Sequence, residues 1–61
     1  MPSPDSIRLR RELTVLLDKQ MDTLARDAFG VVTAAELFEY ELRQDRIRGL
    51  YAELVQQEGA T

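Results

Sequence analysis

A helix stop and a helix start share one short stretch near the middle of this chain, Gly30–Glu36, and they limit it to one simple topology. Gly30 offers the left-handed backbone that commonly closes a helix. Thr33-Ala34-Ala35-Glu36 then reads as a capping box, in which the threonine hydroxyl takes a hydrogen bond from the third helical amide and the glutamate reaches back to the threonine amide. Val32 and Leu37 flank it as the matching hydrophobic staple. Only Gly30–Thr33 remain to join what lies on either side. So short a connection sends the second helix back antiparallel to the first, as an αα-hairpin.

The segments on both sides carry helical periodicity. In the first, Ser3 suits the N-cap, Pro4 the first helical position and Asp5 the positive end of the dipole. Leu9, Leu13, Leu16, Leu17, Met21, Leu24 and Ala28 recur at spacings of three and four and predict one apolar face. Asp22 and Arg26 form an i,i+4 ion pair in the favourable order. In the second, Leu37, Tyr40, Gln44, Ile47, Tyr51, Leu54 and Glu58 recur as a 3-4 heptad seam. The fold expected is all-α: one domain over 1–61, an antiparallel two-helix hairpin with helices at about 4–29 and 34–58, Gly59 as the second stop and frayed ends at 1–3 and 59–61. No segment alternates at period two, so no strand is expected.

Size turns this hairpin toward a partner. A 61-residue chain hides only about 60% of its unfolded surface, and small domains of this kind usually need a staple. There is no Cys for a disulfide and no His, so the common zinc sites are missing as well. Phe38 and Leu42 form an apolar pair off the seam, with Gly49 on the same side, while Leu50 and Val55 widen the seam itself. These five residues are the expected dimer or partner interface. A second copy related by C2 symmetry gives a four-helix bundle. Gln20 and Gln44 interrupt the two seams at nearly the same level and are expected to share a buried polar layer that fixes register at some cost in stability. On that view, replacing both by leucine raises the melting temperature.

The residues needed for common catalytic chemistry are scarce. Without His or Cys the usual nucleophile–base pairs cannot form, and Ser occurs only at Ser3 and Ser6. Residues 25–36 can be laid over a calcium-binding EF-hand loop, with Asp27, Gly30, Val32 and Glu36 in register. Ala25 and Phe29, however, replace two of its oxygen ligands. No catalytic residue, metal or cofactor is therefore expected. With eight Lys and Arg against eleven Asp and Glu the net charge is −3, which argues against anionic membranes and nucleic acid as default partners. There is no apolar signal-like start and no run of the roughly 18–20 apolar residues that would span a bilayer, so a cytoplasmic location is expected.

In length, hinge position and dimer logic the layout resembles the helical-hairpin dimers typified by the plasmid copy-number regulator Rop. The resemblance is one of architecture over the whole chain, and it carries no sequence motif. The function expected is that of a non-enzymatic structural or regulatory interaction module. It would bind itself as a homodimer and, through an apolar helix face, another protein. The alternative is a Rop-like RNA-binding regulator using Arg8, Arg11, Arg43 and Arg46.

Overall fold

A computed structural model describes residues 3–59. Two helices, α1 (Pro4–Asp27) and α2 (Ala34–Gly59), pack against each other. They form a rod of 45 × 16 × 13 Å. Of the ends expected to fray, residues 1, 2, 60 and 61 lie outside the described residues. Ser3 departs from that expectation. Its hydroxyl caps α1 by accepting from the Ser6 amide at 3.1 Å and lies 3.5 Å from the Gln57 side-chain oxygen of α2. Gly59 is the last residue of α2.

The hinge closes α1 as the glycine requires. Gly30 has φ +70°; its amide donates to the Asp27 carbonyl at 2.9 Å and the Val31 amide to the Arg26 carbonyl at 3.3 Å. This 5→2 and 6→1 pair is a Schellman motif. Residues 28–30 form the turn, so α1 ends two residues before the expected boundary. The second cap is only half the expected box. Thr33 Oγ1 accepts from the Glu36 amide at 3.1 Å, but the Glu36 carboxylate accepts from Arg26 Nη1 at 2.9 Å instead of reaching back. A charge-assisted bond to a guanidinium outcompetes one to a neutral amide, and it ties the hinge to α1.

The core is small and lies toward the open end: Leu9, Leu13 and Leu16 of α1 against Ile47, Leu50 and Leu54 of α2. These six set the rotational phase of both helices. With a and d denoting the two seam positions of a heptad, α1 places Ser6, Leu9, Leu13, Leu16, Gln20 and Thr23 on the seam. On α2 the seam runs Tyr40, Arg43, Ile47, Leu50, Leu54. The expected seams therefore need correcting. Leu50, assigned to a partner interface, is 0% exposed and fills the centre of the hairpin core, while Tyr51, assigned to the seam, is half exposed. Leu37, Gln44, Tyr51 and Glu58 each follow a d position rather than occupying one. On α1, Leu17, Met21 and Leu24 are displaced outward in the same way. A continuous helix cannot re-phase partway, so the apolar half brings Gln20, Thr23 and Arg43 inward and turns Met21, Leu24 and Leu37 out.

Candidate interaction surface

Three features of the hairpin bear on function: a polar layer in the seam, a charged face and an apolar face. In the polar layer, Gln20 is 4% exposed. Its Nε2 donates to Gln44 Oε1 at 3.1 Å and to the Tyr40 carbonyl at 2.9 Å, and its Oε1 accepts from Arg43 Nε at 2.6 Å. Arg43 Nη2 donates on to Thr23 Oγ1 at 3.1 Å, and Thr23 Oγ1 donates to the Lys19 carbonyl at 3.0 Å. The two glutamines thus share a layer with two residues the sequence pattern does not single out for it, Thr23 and Arg43. Among the described residues no buried side-chain polar atom lacks a partner. This network joins α1 to α2 at one register, because a one-turn slip breaks every bond in it.

The residue before each a position lies on one flank of the seam. These are Asp5, Glu12, Lys19 and Arg26 on α1 and Glu39, Arg46 and Glu53 on α2, and every one is charged. Arg46 donates from Nε and Nη2 to Glu12 Oε1 at 3.1 and 2.9 Å. Arg26 donates to Asp22 as well as to Glu36. Between these ties lies an open groove of about 400 Å³ bordered by Lys19, Asp22, Arg26, Glu36, Glu39 and Arg43. Positive and negative groups alternate around it, so it presents no single sign of charge to a ligand.

The residue after each d position lies on the opposite flank, and here the composition changes. Arg10 and Glu58 meet as an ion pair at the open end. Between them and the hinge the flank holds Leu17, Leu24, Leu37, Gln44 and Tyr51. The positions following a extend this face outward with Ile7, Thr14, Met21, Glu41, Arg48 and Val55. Ile7, Leu17, Met21, Leu24, Leu37, Tyr51 and Val55 are 37% to 69% exposed. Together they make one apolar face built from both helices.

Only one of the five expected interface residues, Val55, belongs to this face. Leu50 is core. Phe38 lies opposite the seam, and Leu42 and Gly49 lie on the outer side toward the charged face; all three are exposed. The signal that locates the face was present in the heptad itself, in the contrast between an all-charged flank and a largely apolar one. The four arginines considered for RNA do not form one patch. Arg8 is paired with Asp5, Arg46 with Glu12, and Arg43 with Gln20, Thr23 and Glu39. Arg8 lies beside the level of residue 54 on α2, about eleven positions or roughly 16 Å along the axis from Arg43. The loop laid over the EF-hand is part helix, and its final glutamate holds Arg26. Among the described residues no group of three metal-ligating side chains forms, and no helix is long and apolar enough to cross a membrane.

Comparison of the chain with protein-family models, with curated proteins and with solved structures returns no match.

Proposed function

We propose that this protein is a non-enzymatic interaction module of the cytoplasm, working as a homodimer of helical hairpins. The observation that carries this reading is the apolar face. Scattered exposed hydrophobics are normal on a monomer, but seven on one face of so small a chain, with Leu17, Met21 and Leu24 consecutive along α1, favour an interaction site. Surface area supports the same view. The chain exposes 4750 Å², roughly 700 Å² more than the about 4,000 Å² that a compact monomer of its mass shows. That surplus goes with the elongated 45 × 16 × 13 Å shape, which leaves the long faces of the hairpin open to a partner. Covering the face with a second copy would add a four-helix core to a hairpin whose own core holds six residues.

Sedimentation equilibrium from low to high micromolar concentration tests the proposal. A dimer that dissociates only at the bottom of that range is the expected result, and a monomer throughout overturns it. RNA retardation at low salt is the control for the alternative regulator; phosphate-driven binding would show there first and weaken steeply with added salt.

A further inference from the structure

The apolar face has a symmetry that selects how two copies meet. Along α2 it presents Leu37, Glu41, Gln44, Arg48 and Tyr51 in steps of four and three residues. Reversed, the order is aromatic, cation, amide, anion, leucine, so the stripe is complementary to its own reverse, with Gln44 at the centre. Along α1 the same face presents Ile7, Arg10, Thr14, Leu17, Met21 and Leu24, and its unbroken apolar block, Leu17 to Leu24, is centred near residue 20. Gln20 bonds both Gln44 and Arg43, so the two centres lie at one level of the hairpin. One dyad perpendicular to the helices therefore serves both stripes.

We infer that the partner is a second copy of this chain with α2 antiparallel to the partner's α2, the dyad at the level of Gln44, and Glu41 facing Arg48 of the partner subunit. This rests on the homodimer proposed above and specifies its geometry. Two details of the surface favour it. Tyr40, Glu41, Gln44, Asp45 and Arg48 surround an open recess of about 280 Å³ on α2, centred where the dyad falls. Arg48 reaches Asp45 at 3.3 Å with both side chains about three-quarters exposed, and among the described residues Glu41 makes no ion pair within its own chain. The other face-to-face arrangement, α1 over the partner's α2, sets Glu41 against the partner's Met21 and Arg48 against the partner's Thr14, which offers neither charge an opposite one across the interface.

Charge reversal tests the register. Glu41→Arg and Arg48→Glu each place like charges across the dyad twice per dimer, so each is expected to raise the dimer dissociation constant roughly tenfold or more. The double reversal E41R/R48E restores opposite pairs and returns it to within about threefold of the parent on the same grounds. Mixing the two single variants gives a heterodimer in which every pair is again opposite, tighter than either variant alone. Both side chains face solvent in the hairpin, so circular dichroism of each variant keeps the parental helicity. Glu41→Gln and Arg48→Gln provide a milder series with the same order. A parent chain that dimerises while the single reversals leave the constant unchanged overturns this register and leaves the dimer standing. A monomeric parent removes the dimer and the register together.

Discussion

The two halves of the hairpin are closed by different means. Toward the open end, Leu9, Leu13 and Leu16 meet Ile47, Leu50 and Leu54 with no polar side chain between them. Toward the hinge, the same two seams carry Gln20, Thr23 and Arg43, joined by hydrogen bonds, and Arg26 crosses to Glu36. The apolar half supplies non-directional burial, worth about 1.5–3 kcal/mol for each fully buried leucine. Its contacts are non-specific in themselves, so they do little to fix the register. The polar half contributes less net free energy, because each hydrogen bond replaces bonds to water and adds only about 0.5–1.5 kcal/mol. It tolerates no slip. One half holds the helices together and the other states where.

Substitutions that exchange these properties separate the two contributions. The largest effect belongs to Leu50→Ala. Leu50 is 0% exposed, and truncation there removes the centre of the only apolar cluster among the described residues. A loss of about 2–5 kcal/mol is expected, enough to unfold so small a domain at moderate denaturant, as chemical unfolding followed by circular dichroism reads directly. The next belongs to the polar half. Gln20→Leu leaves Arg43 Nε facing a methyl group; the Arg43 side chain is part-buried, 20% accessible, so the cost is expected at the lower end of the about 1–3 kcal/mol of an unsatisfied buried group. Gln20→Leu with Gln44→Leu is therefore expected to lower the melting temperature, against the rise that the sequence pattern alone suggests. Adding Arg43→Leu removes the stranded cation and should bring stability to or above the parent level. A rise already in the double variant would show that Arg43 does not depend on Gln20.

Smaller changes calibrate the contrast. Gly49 sits in mid-helix with nothing within 4 Å of where a Cβ would stand. Gly49→Ala should stabilise the hairpin by about 0.8–1 kcal/mol through helix propensity, without favouring either half. A loss of stability would instead reveal another surface packed closely on that side. The smallest effect is expected for Arg26→Ala. Its ion pair with Glu36 is partly exposed, with side chains 42% and 33% accessible. Solvent screening keeps such a pair within a few tenths to about 1 kcal/mol, and the difference should shrink in high salt. Amide exchange then locates it, with faster opening confined to the hinge half.

The architecture of the molecule was largely legible in the chain. Ser3, Gly30 and Thr33 announce the helix ends through local hydrogen-bond chemistry, which depends on neighbours in sequence, and the short connection forces the antiparallel return. The pairing of Gln20 with Gln44 was accessible for a similar reason, since hairpin geometry relates residues across the hinge by simple counting. The phase of the seam was not. Reading apolar periodicity assigns Met21, Leu24, Leu37 and Tyr51 to the inside because they are hydrophobic. The structure gives the places of Met21, Leu24 and Tyr51 to Gln20, Thr23 and Leu50, turns Leu37 outward, and brings Arg43 inward beside Gln44. Phase is decided by the whole length of two stiff helices at once, so an unambiguous apolar block at one end overrides a local preference at the other. The same shift moved Leu50 from the expected interface to the core and left Phe38, Leu42 and Gly49 outside the apolar face.

The side-chain contact of Ser3 with Gln57 and the Arg10–Glu58 pair have a consequence for engineering. They hold the beginning of α1 and the end of α2 side by side at one end of a 45 Å rod. Grafted into a surface loop of a host protein, the hairpin would enter and leave through adjacent points and need little slack to do so. It would stand out from its host as a spike, with Gly30 at the tip and the charged and apolar faces along its flanks. Two such spikes, placed on separate hosts, would test mutual recognition of the apolar faces without freeing the hairpin from either host.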